Sequence, residues 1–313
     1  MLTQEAIVEA ASRIAGHVRR TPVLEVDGAA FGAAGPLVLK LELLQSTGSF
    51  KPRGAFNRML SAKLPQAGVI AASGGNHGAA VAYAARELGI PAEIFVPEAT
   101  PPAKVARVES YSARLVRTGA AYAEALAASR ARQAETGALE IHAYDHPAVL
   151  AGQGTVGREL QEQAPDLTHI LVAVGGGGLI GGIAGWYAGG AEVVAVEPEG
   201  CPALHRALLA SHPVPSPVGG VAADSLGARQ VGAEMFDVAS RFIRNSVLVT
   251  DEAIRRAQAL LWNAVRLIAE PGGAAALAAL SSGAWSPPQG ARVGVVVCGA
   301  NTDPALVSRE TLA

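Results

Sequence analysis

Cysteine is scarce in this 313-residue chain, which has two, too few for a disulfide framework. That favours a reducing compartment, so the expected location is the cytoplasm. Charge is thin as well: 17% of residues are Asp, Glu, Lys or Arg and the net charge is −2. No basic block occurs, which argues against nucleic acid or an anionic membrane as the main partner. The opening residues, Met1-Leu2-Thr3-Gln4-Glu5-Ala6, lack the basic-then-apolar pattern of a secretory signal. Internal repeats and low-complexity tracts are missing too. What abounds is apolar: 50% of residues are hydrophobic. The chain therefore predicts a compact globular protein with core enough for one large or two ordinary domains.

One uncharged stretch, Ile170 to Gly190, meets the length rule for a membrane span. Yet it holds four consecutive glycines, with an aliphatic run before them and small residues after. A buried strand, a turn and a packed helix account for it better. Similar apolar runs recur at Leu37–Leu41, Val69–Ser73, Glu93–Val96, Arg114–Thr118, Glu140–Ala143, Glu192–Val196, Ser246–Val249 and Arg292–Cys298. Helical stretches lie between them, among them Asn76–Leu88, Ala120–Thr136, Leu150–Gln163 and Asp251–Ile268. Short aliphatic strands alternating with helices predict an α/β fold with mainly parallel sheets, covered on both faces. The pattern is too long for one simple doubly wound sheet, so two α/β domains are expected.

Three runs carry chemistry. Lys51 lies in Gly48-Ser49-Phe50-Lys51-Pro52-Arg53-Gly54-Ala55, where Pro52 suits the first turn of a helix. Ser73-Gly74-Gly75-Asn76-His77-Gly78 follows a strand and opens a helix, with Asn76 a favoured N-cap type. Gly175-Gly176-Gly177-Gly178-Leu179 follows another strand. Backbone N–H groups at such turns hold anions without side-chain charge, and a primary amine forms an imine with an aldehyde. One amine and two anion nests are what a phosphate-bearing aldehyde cofactor needs. By itself the glycine run also suits a dinucleotide fingerprint, with Glu197 as a ribose-binding acid; Lys51 decides against that. Cys298 at a strand end is ordinarily a small buried hydrophobe. The run Glu270-Pro271-Gly272-Gly273-Ala274 reads equally as a helix-breaking turn, and Asp224 equally as a turn cap.

In wording and order these runs resemble the fold-type II pyridoxal-phosphate enzymes, specifically the serine/threonine dehydratase and serine racemase group. The likeness extends from Arg20-Thr21-Pro22-Val23 to Cys298-Gly299-Ala300-Asn301. It implies a large domain of residues 1–67 and 146–313, a small inserted domain of residues 68–145, and pyridoxal 5'-phosphate in the cleft between them. Lys51 would then hold the cofactor and remove the Cα proton. Phe50, Asn76, Gly175, Gly176, Gly177, Gly178, Leu179 and Cys298 would complete its site, with Asn76 at the ring hydroxyl and Cys298 at the pyridine nitrogen. Ser73, Gly75, Asn76 and His77 would grip the substrate carboxylate, and His77 is expected to be a first-turn residue rather than an acid–base group. Glu270 and Asp224 occupy family positions near the ring and the cleft.

The implied activity is dehydration and deamination of L-serine or L-threonine to a 2-oxo acid and ammonia. The alternatives are a racemase, a dehydratase of another β-hydroxy amino acid such as hydroxyaspartate, and a non-catalytic ligand-binding paralogue. Gly74 stands where racemases place a reprotonating serine. Glu197 matches a cation ligand of some relatives, but Ala203 replaces their aspartate, and one hard oxygen ligand is too few for Mg²⁺. No metal site is therefore expected, though a monovalent cation held by carbonyls is compatible. The resemblance further implies a homodimer. The chain ends soon after Cys298, which implies that a C-terminal regulatory domain is absent and that the role is catabolic or unregulated.

Overall fold

Short aliphatic strands separated by helices cannot pair as hairpins, and here nearly all of them pair in parallel. The computed structural model describes residues 2–305. In chain order it runs α1 (Gln4–Ile14), β1 (Val23–Val26), β2 (Leu37–Lys40), α2 (Lys51–Leu60), β3 (Val69–Ala72), α3 (Asn76–Glu87), β4 (Ala92–Val96), α4 (Pro102–Glu109), β5 (Arg114–Arg117), α5 (Tyr122–Thr136) and β6 (Leu139–Glu140). It continues with α6 (Pro147–Gln163), β7 (His169–Ala173), α7 (Gly178–Tyr187), β8 (Glu192–Pro198), α8 (Ala203–Ala210), α9 (Ala223–Leu226), α10 (Ala233–Phe242), β9 (Asn245–Val249), α11 (Asp251–Val265), α12 (Pro271–Ser281) and β10 (Val293–Val296). The last residues of the large domain expected at 146–313 lie outside the described residues.

The strands form two sheets. A six-stranded sheet has the order β1-β2-β10-β7-β8-β9, and a four-stranded sheet the order β5-β4-β3-β6. The register of the larger sheet sets Val293 beside Leu37 on one side and beside His169 on the other. In the smaller sheet Val69 lies beside Ala92 and Leu139. β1 alone runs antiparallel, pairing its Val23 with Lys40. The strands β3, β7 and β10 are buried along their whole length or nearly so, consistent with helices on both faces. Among the described residues no helix is long and apolar enough to cross a membrane. The uncharged run from Ile170 is β7, a glycine turn and α7, as its glycines require.

Two helices depart from the sequence expectation. Pro271 does not break a helix but starts α12, where its missing N–H costs nothing. Gly75 is the N-cap of α3 and its first residue is Asn76, whose side chain does not cap it. The Asn76 amide is used elsewhere, as described below.

Beneath α2 lies a buried ion network. The Arg53 guanidinium donates to both oxygens of Glu42, at 2.7 and 2.8 Å, and to both oxygens of Glu159, also at 2.7 and 2.8 Å. Lys40 Nζ donates to Glu159 at 2.8 Å and to the Thr21 carbonyl at 2.8 Å. Two cations face two carboxylates, so no charge is left uncompensated, and every partner that is removed would strand another. The network ties β2, α2 and α6 together two residues from Lys51 and so fixes the start of α2.

Candidate active site

Because the sheets are parallel, the carboxyl ends of β3, β7 and β10 each lead into a glycine-containing turn. One pocket is lined by Phe50, Lys51, Asn76, Tyr144, Ala173, Gly175–Gly178, Leu179, Ser225, Leu226, Glu270, Gly272 and Cys298. It brings Lys51, Asn76, the glycine run and Cys298 together from four distant parts of the sequence. Ser73, Gly75 and His77 adjoin it through Asn76 but are not among its lining residues. A larger hollow of about 270 Å³ lies elsewhere, between Leu2–Glu5 and Asp237–Phe242, and holds none of the predicted site residues.

Lys51 opens α2 with Pro52 in its first turn. Its Nζ donates to the Ala143 carbonyl at 3.0 Å and lies 5.0 Å from the centre of the Phe50 ring. Burial pushes the amine down from 10.5 to about 8, against the opposing pull of Cys298 and Glu270. The chain has four lysines, Lys40, Lys51, Lys63 and Lys104. Lys40 is locked into the ion network, Lys104 is paired with Asp224 and Lys63 is exposed. Only Lys51 offers an amine to the pocket.

The glycine run turns back on itself to begin α7. Gly177, the N-cap, has φ +92°, a left-handed conformation that suits glycine. A Cβ on Gly176 would overlap the Tyr144 ring, and one on Gly177 would overlap Met235. The run is thus a closely packed cradle, and the first N–H groups of α7 have no intrahelical partner. Cys298 is buried, and its thiol donates to the Gly272 carbonyl at 3.4 Å. Burial, with Glu270 nearby, pushes that thiol far above its usual range, so it stays neutral.

His77 is turned away from acid–base work. Its Nε2 bonds the Ile141 carbonyl at 2.7 Å, tying the first turn of α3 to the end of β6. Burial, aided by Lys51, pushes the imidazole down to about 3, so it is neutral at physiological pH. Ser73 Oγ accepts the Gly75 N–H at 3.2 Å. Asp224 does not cap a turn but meets Lys104 of α4. Glu197 accepts the N–H groups of Leu204 and His205, both at 2.7 Å, and so caps α8. Among the described residues no group of three or more His, Cys, Asp or Glu side chains is placed to hold a metal ion.

Tyr144, Ala173, Ser225 and Leu226 line the pocket without having been singled out by a motif, and Glu270 lines it from a run whose sequence left its role open. Tyr144 packs over Gly176 and Gly178. Ser225 Oγ accepts the Gly272 N–H at 3.2 Å. Glu270, left undecided by its sequence, is 5% exposed and faces Asn76, whose Nδ2 donates to its Oε1 at 2.6 Å. Burial pushes its carboxyl up from 4.5 to about 7, the Asn76 hydrogen bond opposing the rise.

Residues 14–299 match the family model described as pyridoxal-phosphate dependent enzyme. An L-threonine ammonia-lyase of Geobacter sulfurreducens is 38% identical over 98% of the chain and 78% of the relative. A phenylserine dehydratase of Ralstonia pickettii is 36% identical over 97% of the chain and 95% of the relative. Among solved structures, maize serine racemase superimposes with a TM-score of 0.91 at 32% identity, covering 99% of this chain and 97% of that one. A serine racemase from Dictyostelium discoideum gives 0.87 at 32% identity, covering 96% and 99%.

Proposed function

The chain belongs to the pyridoxal-phosphate-dependent enzyme family, and from that premise we propose that it is an ammonia-lyase of β-hydroxy amino acids. It takes L-threonine or L-serine, loses the Cα proton and the β-hydroxyl, and releases a 2-oxo acid and ammonia after hydrolysis. The observation that carries the reading is Lys51, the lysine whose amine lines the pocket together with the glycine cradle. The residues suit the cofactor. Gly175–Leu179 would hold its phosphate through backbone N–H groups, the neutral Cys298 thiol would face its pyridine nitrogen, and Asn76 its ring hydroxyl. When bound, pyridoxal phosphate supplies the electron sink for the pair left at Cα.

The chain's own residues do the rest. Lys51, with its amine pushed to about 8, is available as a base near neutral pH. The Ala143 carbonyl orients it. The neutral Cys298 thiol brings no charge to the place where the ring nitrogen would sit, and so would not hold that nitrogen protonated. Ser73, Gly75, Asn76 and His77 would bind the substrate carboxylate at the start of α3, with closure of residues 68–145 onto the larger unit bringing them to the pocket.

Racemisation is the second reading, favoured by the likeness to maize serine racemase. Gly74 opposes it. A Cβ there would meet Thr100 Cγ2 at 3.0 Å, and glycine has no proton to give. A positioned donor is worth roughly 10²–10⁴ in rate, so elimination should win by about that factor. The reading carries with it a homodimer in the cytoplasm; a monovalent cation is compatible with it and not required. A panel of β-hydroxy amino acids assayed for 2-oxo acid, with chiral chromatography at partial conversion, tests it. Pyruvate or 2-oxobutyrate with a trace of D-amino acid is expected. D-serine forming as fast as pyruvate would put the racemase first, and inertness toward the whole panel would leave a binding protein.

A further inference from the structure

We propose that Glu270 and Asn301 are positioning residues that hold the side-chain amide of Asn76 in one orientation, with its second N–H a fixed donor to the ring oxygen of the bound cofactor. The inference deepens the reading above and rests on it.

Three hydrogen bonds carry it. Asn301 Nδ2 donates to the Thr47 carbonyl at 2.9 Å and to Asn76 Oδ1 at 2.5 Å. Both of its hydrogens are then engaged, and a group offering only hydrogens requires an oxygen opposite. At the other end Asn76 Nδ2 donates to Glu270 Oε1 at 2.6 Å. A side-chain amide turned over by 180° keeps almost the same shape, so shape alone cannot select its orientation. Here the reversed amide would set NH₂ against NH₂ at Asn301 and, with Glu270 ionised, oxygen against its carboxylate.

Neither partner has room to withdraw. Gly48, at φ +69°, lies so close to Asn301 that a Cβ would reach its Oδ1 at 2.5 Å. A Cβ on Gly299 would overlap Glu270 Oε1. Glu270 is itself the N-cap residue of α12, a place where a carboxylate usually serves its own helix, yet its side chain makes no capping bond. It reaches Asn76 instead. The two partners come from the ends of α12 and β10 beside the six-stranded sheet, whereas Asn76 opens α3 beside the four-stranded one. The orientation is therefore set by residues of the other sheet's unit. Asn76 Nδ2 keeps a second hydrogen with no acceptor among the described residues, on a side chain that lines the pocket with Lys51. That second hydrogen would be the donor offered to the ring oxygen.

The test is a pairing of variants with two ligands, pyridoxal phosphate and its analogue lacking the ring hydroxyl, titrated into apoprotein and followed by absorbance and fluorescence. Asn301→Asp, which replaces donors by acceptors, and Glu270→Ala should each weaken pyridoxal phosphate about tenfold or more. Glu270→Gln, which keeps an acceptor oxygen, should recover most of that loss. The analogue should bind these variants as it binds wild type. In an Asn76→Ala background, Asn301→Asp should add less than about twofold, since the amide it orients is gone. Equal losses for both ligands, or a full further loss in the Asn76→Ala background, would overturn the proposal alone. Failure of the wild-type protein to take up pyridoxal phosphate would overturn it together with the reading on which it rests.

Discussion

Replacing Glu270 by Gln should stabilise the cofactor-free protein at high pH and leave it unchanged at low pH. Burial raises this carboxyl from 4.5 to about 7, so the folded chain keeps a proton that the unfolded chain has already lost between those values. A group raised in this way contributes stability that is present in full below pH 4.5 and is lost as pH rises through 7. A shift from 4.5 to about 7, at 1.36 kcal/mol per unit, sets an upper limit of about 3 kcal/mol. Gln carries no proton to lose and keeps the acceptor for Asn76. Its advantage should thus grow from nothing near pH 4.5 to a plateau of up to about 3 kcal/mol above about pH 8. Glu197, raised to about 7 by burial while Leu204 and His205 oppose the rise, contributes equally to both proteins and cancels. Lys51 reduces the gap, because its charge favours the ionised Glu270. The assay is the difference in urea midpoint between variant and wild type at half-unit steps from about pH 4.5 to about 8.5, a range that brackets the titration. A flat difference, or one that falls with pH, would refute the reasoning.

Two further outcomes follow from the same geometry. Gly176→Ala should weaken pyridoxal phosphate binding tenfold or more while the protein still folds, because the new Cβ overlaps the Tyr144 ring at the cradle; an unchanged dissociation constant would show that the cradle is not used. The rate at which apoprotein takes up pyridoxal phosphate should climb about tenfold per pH unit below 8 and level off above it, since the Lys51 amine must be unprotonated to react and burial has lowered it to about 8. Stopped-flow absorbance reads this directly, and a rate still climbing at about pH 10, the range of an ordinary lysine, would mean that the amine is not depressed.

Most of what the sequence revealed was local. Lys51 with Pro52 after it, and two glycine turns placed just after aliphatic runs, are contiguous patterns with a direct backbone meaning. The strand runs at Val69, Ile170 and Arg292 were legible for the same reason, apart from a residue or two at their ends. What escaped was set by partners far along the chain. Lys40 and Glu159 are 119 residues apart, and nothing near either one signals a buried pair. Asn76 looked like a cap because caps are local; its true partners, Glu270 and Asn301, are 194 and 225 residues away. Pro271 was ambiguous because proline both ends and begins helices. β1 is a short edge strand whose antiparallel pairing only β2 reveals. Tyr144 carries no motif, and its place over the glycine cradle becomes visible only when the segment after β6 is brought against the start of α7.

The central claim is that one lysine, Lys51, is the chemical centre of this protein. Borohydride treatment of the holoenzyme should abolish an imine band near about 410 nm, and peptide mapping by mass spectrometry should then find the pyridoxyl label on Lys51 and not on Lys40, Lys63 or Lys104. Lys51→Ala should fold, take no label and release no 2-oxo acid. Label on another lysine, or turnover by Lys51→Ala near the wild-type rate, would contradict the account.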